Sequence, residues 1–103
     1  MSSSSEPAHL NNHHRDTLMK IFQHPTSHNL QWDAVISLLE TVGDVETRHD
    51  GKYAVRLGGE IEILTPPKHK DIDVETIPYL RRMLTAAGYD KTVAEMEAKG
   101  KEV

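Results

Sequence analysis

Residues 45–65 constrain this chain more than any other stretch. They read as three short antiparallel strands, 45–49, 52–57 and 60–65, separated by the glycine-marked turns Asp50-Gly51 and Gly58-Gly59. In the second strand Tyr53, Val55 and Leu57 share one face and Lys52, Ala54 and Arg56 the other, the period of two that marks a half-buried strand. In the third, Ile61 and Ile63 alternate with Glu60 and Glu62. A sheet apolar on one side only must be covered on that side, and the helical segments before and after it are the candidates.

Parity restricts the register, because directly opposed residues of an antiparallel pair lie on the same face. A two-residue turn at Asp50-Gly51 would set Val45 against Arg56 and mix the faces. An odd-numbered turn places Val45 and Thr47 against Val55 and Tyr53, or against Leu57 and Val55. By the same argument a three-residue Gly58-Gly59-Glu60 loop pairs Leu57 with Ile61 and Val55 with Ile63. Three-residue, bulge-type hairpins are therefore expected at both turns.

Residues 1–14 form a serine-rich polar arm with too little apolar surface to order itself, and His13-His14 are expected to be inert within it. Leu18, Ile21 and Phe22 mark an extra helix over 15–24, stopped by Pro25. His24 and His28 flank a turn and share no helical face, which argues against a metal pair. Asn29 is placed to cap a helix over 30–42, whose stripe is Trp32, Val35, Ile36, Leu39 and Val42. Trp32 on that stripe is expected to cover the sheet, and Gly43 to end the helix in the left-handed conformation. Two prolines end the third strand, and the loop that follows carries Lys68-His69-Lys70.

Asp73 then caps a helix over 74–87 with Ile77, Leu80, Leu84 and Ala87 inward and Arg81-Arg82 toward solvent. Pro78 implies that its regular part begins later than Val74. Gly88 closes it. Residues 89–103 form an extension in which Val93 and Met96 make a thin stripe, so a helix over 90–99 is expected to dock loosely.

A chain of 103 residues makes one small domain, 15–88, between two extensions. It has no cysteine, which removes disulfides and thiolate metal sites, and no apolar run near the ~20 residues a membrane span needs. Met1 through Pro7 lacks the apolar core of a signal peptide, so the cytoplasm is expected. The net charge of −4 and a pI near 5.9 argue against a non-specific nucleic-acid binder but allow a local basic face. No motif calls for a cofactor or a metal. The architecture expected is α+β, two layers, with the order α-β-β-β-α between an extra N-terminal helix and a weak C-terminal one.

Three segments, in order and spacing, resemble the HicA-like toxins of bacterial toxin–antitoxin systems. They are Leu38-Leu39-Glu40-Thr41-Val42-Gly43 followed by a strand with Arg48, then Pro67-Lys68-His69-Lys70-Asp71-Ile72, then Leu80-Arg81-Arg82-Met83-Leu84 ending at Ala87-Gly88. The resemblance covers about residues 32–88. It implies a double-stranded-RNA-binding-domain-like fold, an mRNA-cleaving endoribonuclease of a type II system and a HicB-like antitoxin as protein partner. The family's catalytic histidine belongs to a Gly-Ser-His motif at the start of the second strand. Here that place reads Gly51-Lys52-Tyr53.

Metal-independent RNA cleavage needs a base for the ribose 2′-OH and cations for the phosphate. Tyrosine, unperturbed near ~10, is a poor base. Histidine, near ~6.5, is suited to the task. His49 or His69 is therefore the candidate base beside Tyr53, and Arg48, Lys52, Arg56, Lys68 and Lys70 are the candidate RNA contacts. The alternative is a catalytically silent RNA-binding or antitoxin-binding module on the same scaffold, and a third is an interaction domain without a nucleic-acid partner.

Overall fold

A computed structural model describes residues 10–26 and 29–101, with side chains through residue 98. The polar arm before Leu10 and His28 lie outside the described residues. The elements run α1 (Asn12–Phe22), α2 (Trp32–Val42), β1 (Asp44–Thr47), β2 (Tyr53–Leu57), β3 (Glu60–Leu64), a 3-10 turn (Val74–Thr76), α3 (Ile77–Ala86) and α4 (Tyr89–Lys101). The three strands form one antiparallel sheet in the order β1-β2-β3. One face of it meets a core in which Leu18, Ile21, Val35, Leu38, Leu39, Leu80 and Leu84 are sealed from solvent. The chain is α+β, with helices before and after a meander.

The first hairpin has the expected parity. Val45 lies opposite Val55 and Thr47 opposite Tyr53. Arg48 N–H donates to Lys52 O (2.8 Å) and Gly51 N–H to Arg48 O (3.1 Å), which leaves the three-residue loop His49-Asp50-Gly51. Gly51 takes φ +85°, the left-handed position such a loop reserves for glycine. The second hairpin departs from expectation. Gly58 and Gly59 are both left-handed (φ +59° and +84°), and Leu57 pairs with Glu60, Arg56 with Ile61 and Ala54 with Ile63. Two consecutive glycines satisfy a tight two-residue turn at no steric cost, and that local preference wins over matching of the faces.

The consequence is that Ile61 and Ile63 point away from the helices, while Glu60 and Glu62 point toward them. Arg82 of α3 makes this tolerable: its Nε lies 3.3 Å from Glu60 Oε1, and its Nη2 bonds Glu62. Tyr79 lies under the same guanidinium, 5.7 Å from ring centroid to Cζ. Arg82 is thus a tie between α3 and β3 and does not simply face solvent. Arg81, also expected outside, donates to Ile21 O (2.7 Å) and Gln23 O (2.9 Å). It satisfies carbonyls that the end of α1 would otherwise leave open.

Three helices differ from the sequence reading, and the start of α3 agrees with it. Helix α1 starts at Asn12, since Asn11 Oδ1 caps it by accepting from His14 N–H (2.8 Å). His14 is buried, its Nε2 3.1 Å from Thr41 Oγ1. Helix α2 starts at Trp32, with Gln31 in the cap position instead of Asn29, because the backbone on either side of Gln31 is taken up by the basic loop. The regular part of α3 begins after Val74, as Pro78 implies, and Asp73 makes no side-chain cap bond. Helix α4 is docked: Tyr89 and Val93 are buried and Met96 packs on the same core, with Arg15 Nε 3.4 Å from Met96 Sδ. Tyr89 supplies the missing third member of a stripe at i, i+4 and i+7.

Gly43 also differs. Its φ of −154° is extended, not left-handed, and its need for glycine is one of space. A Cβ there would overlap the carbonyl oxygen of Arg56 and lie 3.3 Å from Leu57 Cδ1. The turn from α2 into β1 passes against the backbone of β2.

Candidate nucleic-acid interface

The loop after β3 is the basic segment singled out by sequence, and the fold gives it a definite seat. Trp32 N–H donates to Lys70 O (2.8 Å) and Ile72 N–H to Leu30 O (2.8 Å), with Gln31 and Asp71 forming an isolated bridge. Ile72 is buried and anchors the loop in the core. Lys68-His69-Lys70 is thereby clamped against the N-terminal end of α2. Between them lies an open cleft of about 770 Å³, lined by Gln31, Trp32, Asp33, Lys68, His69 and Lys70.

Behind Trp32 stands Tyr53, at the start of β2. The two rings meet edge to face, 5.5 Å between centroids at 77°, a geometry the ring quadrupoles favour. Trp32 is only 8% exposed, so it forms a wall of the cleft and holds Tyr53 in place. It is not a free stacking platform. Electrostatically the cleft tends to positive. Asp33 is the one carboxylate among its lining residues, and Lys68 and Lys70 have no ion pair among the described residues. The first turn of α2, which has no side-chain cap bond, adds the positive end of its peptide dipoles.

The other candidates are placed elsewhere. His49 is exposed in the three-residue loop of the first hairpin. Arg48 beside it pairs with Asp50, Nε to Oδ1 3.4 Å. Lys52 immediately precedes Tyr53 and is exposed without an ion pair among the described residues. Arg56 lies on the outer face of the sheet, opposite to Tyr53 and Val55, and pairs with Glu46 at 3.6 Å. The fold therefore brings Lys68, His69 and Lys70 together with Trp32 and, through it, Tyr53. It leaves His49, Arg48 and Arg56 outside that cleft. Gln31 and Asp33 are lining residues that the sequence reading does not anticipate. The signal that could have found them is Ile72, an apolar residue inside a polar loop that must be buried against something.

Among the described residues, the hairpin turn carries the one clear shift in acidity. Asp50 Oδ1 accepts from Lys52 N–H (3.1 Å), and this bond, followed by the nearby Arg48 charge, holds its carboxyl below the usual aspartate range. A depressed folded value means that the turn is favoured above the ordinary carboxylate range and loses that contribution as pH falls through the lowered one. In an NMR titration the Gly51 and Lys52 amide resonances are expected to follow Asp50 with a midpoint below that of free aspartate. In Asp50→Asn they are expected to stay put over that range.

Chemically, the cleft offers cations for phosphate, an imidazole between them, and an aromatic wall. Among the described residues no group of three His, Asp or Glu side chains is placed to hold a metal ion, and no helix is long and apolar enough to cross a membrane. No family model, no curated protein and no solved structure matches this chain, so what the cleft does must be argued from its own chemistry.

Proposed function

We propose that the chain is a HicA-like toxin of a type II toxin–antitoxin system, which binds mRNA and is held silent by a HicB-like antitoxin. The observation that carries this reading is the seating of Lys68-His69-Lys70, with no ion pair on either lysine among the described residues, beside Trp32 and Tyr53. The order α2-β1-β2-β3-α3 supports a double-stranded-RNA-binding-domain-like arrangement, in which an RNA backbone lies across cations at one end of the sheet. Lys68 and Lys70 contact phosphate in this account, and Lys52 extends the track past Tyr53.

His69 is the better of the two candidate bases because it lines the cleft and His49 does not. In the cleavage step its neutral imidazole takes the proton of a ribose 2′-OH, the oxygen attacks the adjacent phosphorus, and the 5′-oxygen of the next nucleotide leaves. The lysines offset the charge that develops on the phosphate. Such a step uses no cofactor. A second reading has its own support. Tyr53 occupies the place of the family's histidine and is committed to packing on Trp32, which favours a silent relative that binds RNA or antitoxin without cutting.

The test is incubation of the purified chain with a long, end-labelled single-stranded RNA in the presence of chelator. Cleavage that persists in His49→Ala and is lost in His69→Ala is the expected result. Intact RNA, bound with an affinity that falls as salt rises, would select the silent reading. Absence of both binding and cleavage would reject the toxin reading and the RNA-binding form of the silent one, leaving an antitoxin-binding module.

A further inference from the structure

The sheet has two edges, and they are built differently. β1 is four residues long and turns Asp44 and Glu46 outward, the kind of charged, short strand that resists pairing with another chain. β3 is one residue longer, and its own charges, Glu60 and Glu62, lie on the helix side, where Arg82 pairs with both. Outside its pairing with β2, residues 60–65 make no backbone hydrogen bond to another backbone group among the described residues. Its outer face carries Ile61 and Ile63, 60% and 42% exposed, and Tyr79 beside the same edge is 49% exposed. Along that edge, between β3 and the start of α3, runs an open groove of about 350 Å³ lined by Glu62, Ile63, Thr65, Asp73, Thr76 and Tyr79. Most of the large exposed apolar side chains of the described residues thus gather at one strand edge, a distribution that marks an interaction surface.

We propose that the free edge of β3 docks a β-strand of a protein partner whose residues alternate between apolar and basic. Strand addition supplies main-chain hydrogen bonds for the edge, and alternate side chains read its two faces. One row of the incoming strand lies over Ile61 and Ile63. The other enters the groove beside Glu62 and Asp73. Glu60 and Glu62 both pair with the one guanidinium of Arg82, and Asp73 in the groove has no ion pair among the described residues, so the groove retains negative charge and selects lysine or arginine. The same charge argues against a second copy of this chain as the occupant. Antiparallel pairing of β3 with itself would set its Glu60 and Glu62 row against an identical row, and like charges directly opposed are destabilising. This surface lies on a different part of the fold from the Lys68–Lys70 cleft, and the inference stands whether or not that cleft binds RNA.

The probe is a fluorescein-labelled, end-blocked hexapeptide of alternating valine and lysine, followed by anisotropy against the full chain. Saturable binding is expected, weakened at least tenfold by Ile63→Lys and several-fold by Asp73→Asn. The same lysines and valines arranged in two blocks, and an alternating valine–glutamate peptide, are expected to bind far less. Because Ile63 and Asp73 are exposed, both variants should keep the wild-type circular dichroism, and Ile63→Lys should bind RNA as the wild type does. Equal binding of the block peptide, or an affinity unchanged in Ile63→Lys, would overturn the proposal. So would the absence of saturable binding, or a dimer in sedimentation velocity that Ile61→Lys dissolves.

Discussion

Replacing Gly43 with alanine is expected to destabilise the fold by about 3 kcal/mol, the upper end of what overpacking costs. The backbone itself is no obstacle, since a φ of −154° suits any residue. The obstacle is space. The added methyl would overlap the Arg56 carbonyl oxygen and crowd Leu57, and Arg56 belongs to the central strand, held by β1 on one side and β3 on the other. Neither neighbour can yield without disturbing the ladder or the core that Leu57 enters. Gly51 provides the contrast. It has nothing within 4 Å of a Cβ but takes φ +85°, so Gly51→Ala should cost only the left-handed penalty of roughly 1–2 kcal/mol. Urea unfolding of the two variants checks both. A larger fall in midpoint is expected for Gly43→Ala, with slopes unchanged. For a domain whose whole stability is on the order of 5–15 kcal/mol, that loss is a large share.

Reversing the charge of the basic loop is expected to have the largest functional effect. In Lys68→Glu/Lys70→Glu the affinity for single-stranded RNA should fall by about 100-fold at low salt. The slope of log affinity against log salt should flatten by roughly 0.7 for each phosphate that the loop no longer neutralises. The fold should survive, because both side chains are exposed and unpaired among the described residues. Arg56→Glu is the control. Arg56 lies on the opposite face and pairs with Glu46, so its reversal should leave RNA affinity within about twofold. Anisotropy titrations across a range of salt read both quantities.

Much of the fold can be read from local pattern. The strands, the three-residue first turn and the late start of the last main helix all follow from alternation, parity and proline chemistry, which act within a few residues. The remainder depends on partners distant in sequence. Alternation in β3 identifies two faces but not which one meets the helices. That choice rests on Gly58-Gly59 preferring a tight turn and on Arg82, some twenty residues later, receiving Glu60 and Glu62. Gly43 reads locally as a helix terminator, whereas the constraint is the passing backbone of β2. Asn29 does not serve as the cap because Leu30 and Trp32 bond the loop at Lys70 and Ile72.

The candidate site shows the same division. Its charges are visible as the run Lys68-His69-Lys70, and Tyr53 is visible as an aromatic residue at the start of the second strand. That the run sits beside Trp32, with Tyr53 behind it and His49 elsewhere, depends on the Gln31–Asp71 bridge and on burial of Ile72. No strand or helix period encodes those contacts.

The most direct test of the central claim, that RNA is held in the cleft between α2 and the basic loop, is an NMR titration with a short single-stranded RNA. The Trp32 indole N–H and the backbone amides of Lys68, His69, Lys70 and Tyr53 are expected to move together and saturate, while those of Ile61 and Ile63 stay still. Saturating shifts confined to the outer face of the sheet, or none at all at RNA concentrations in large excess, would contradict it.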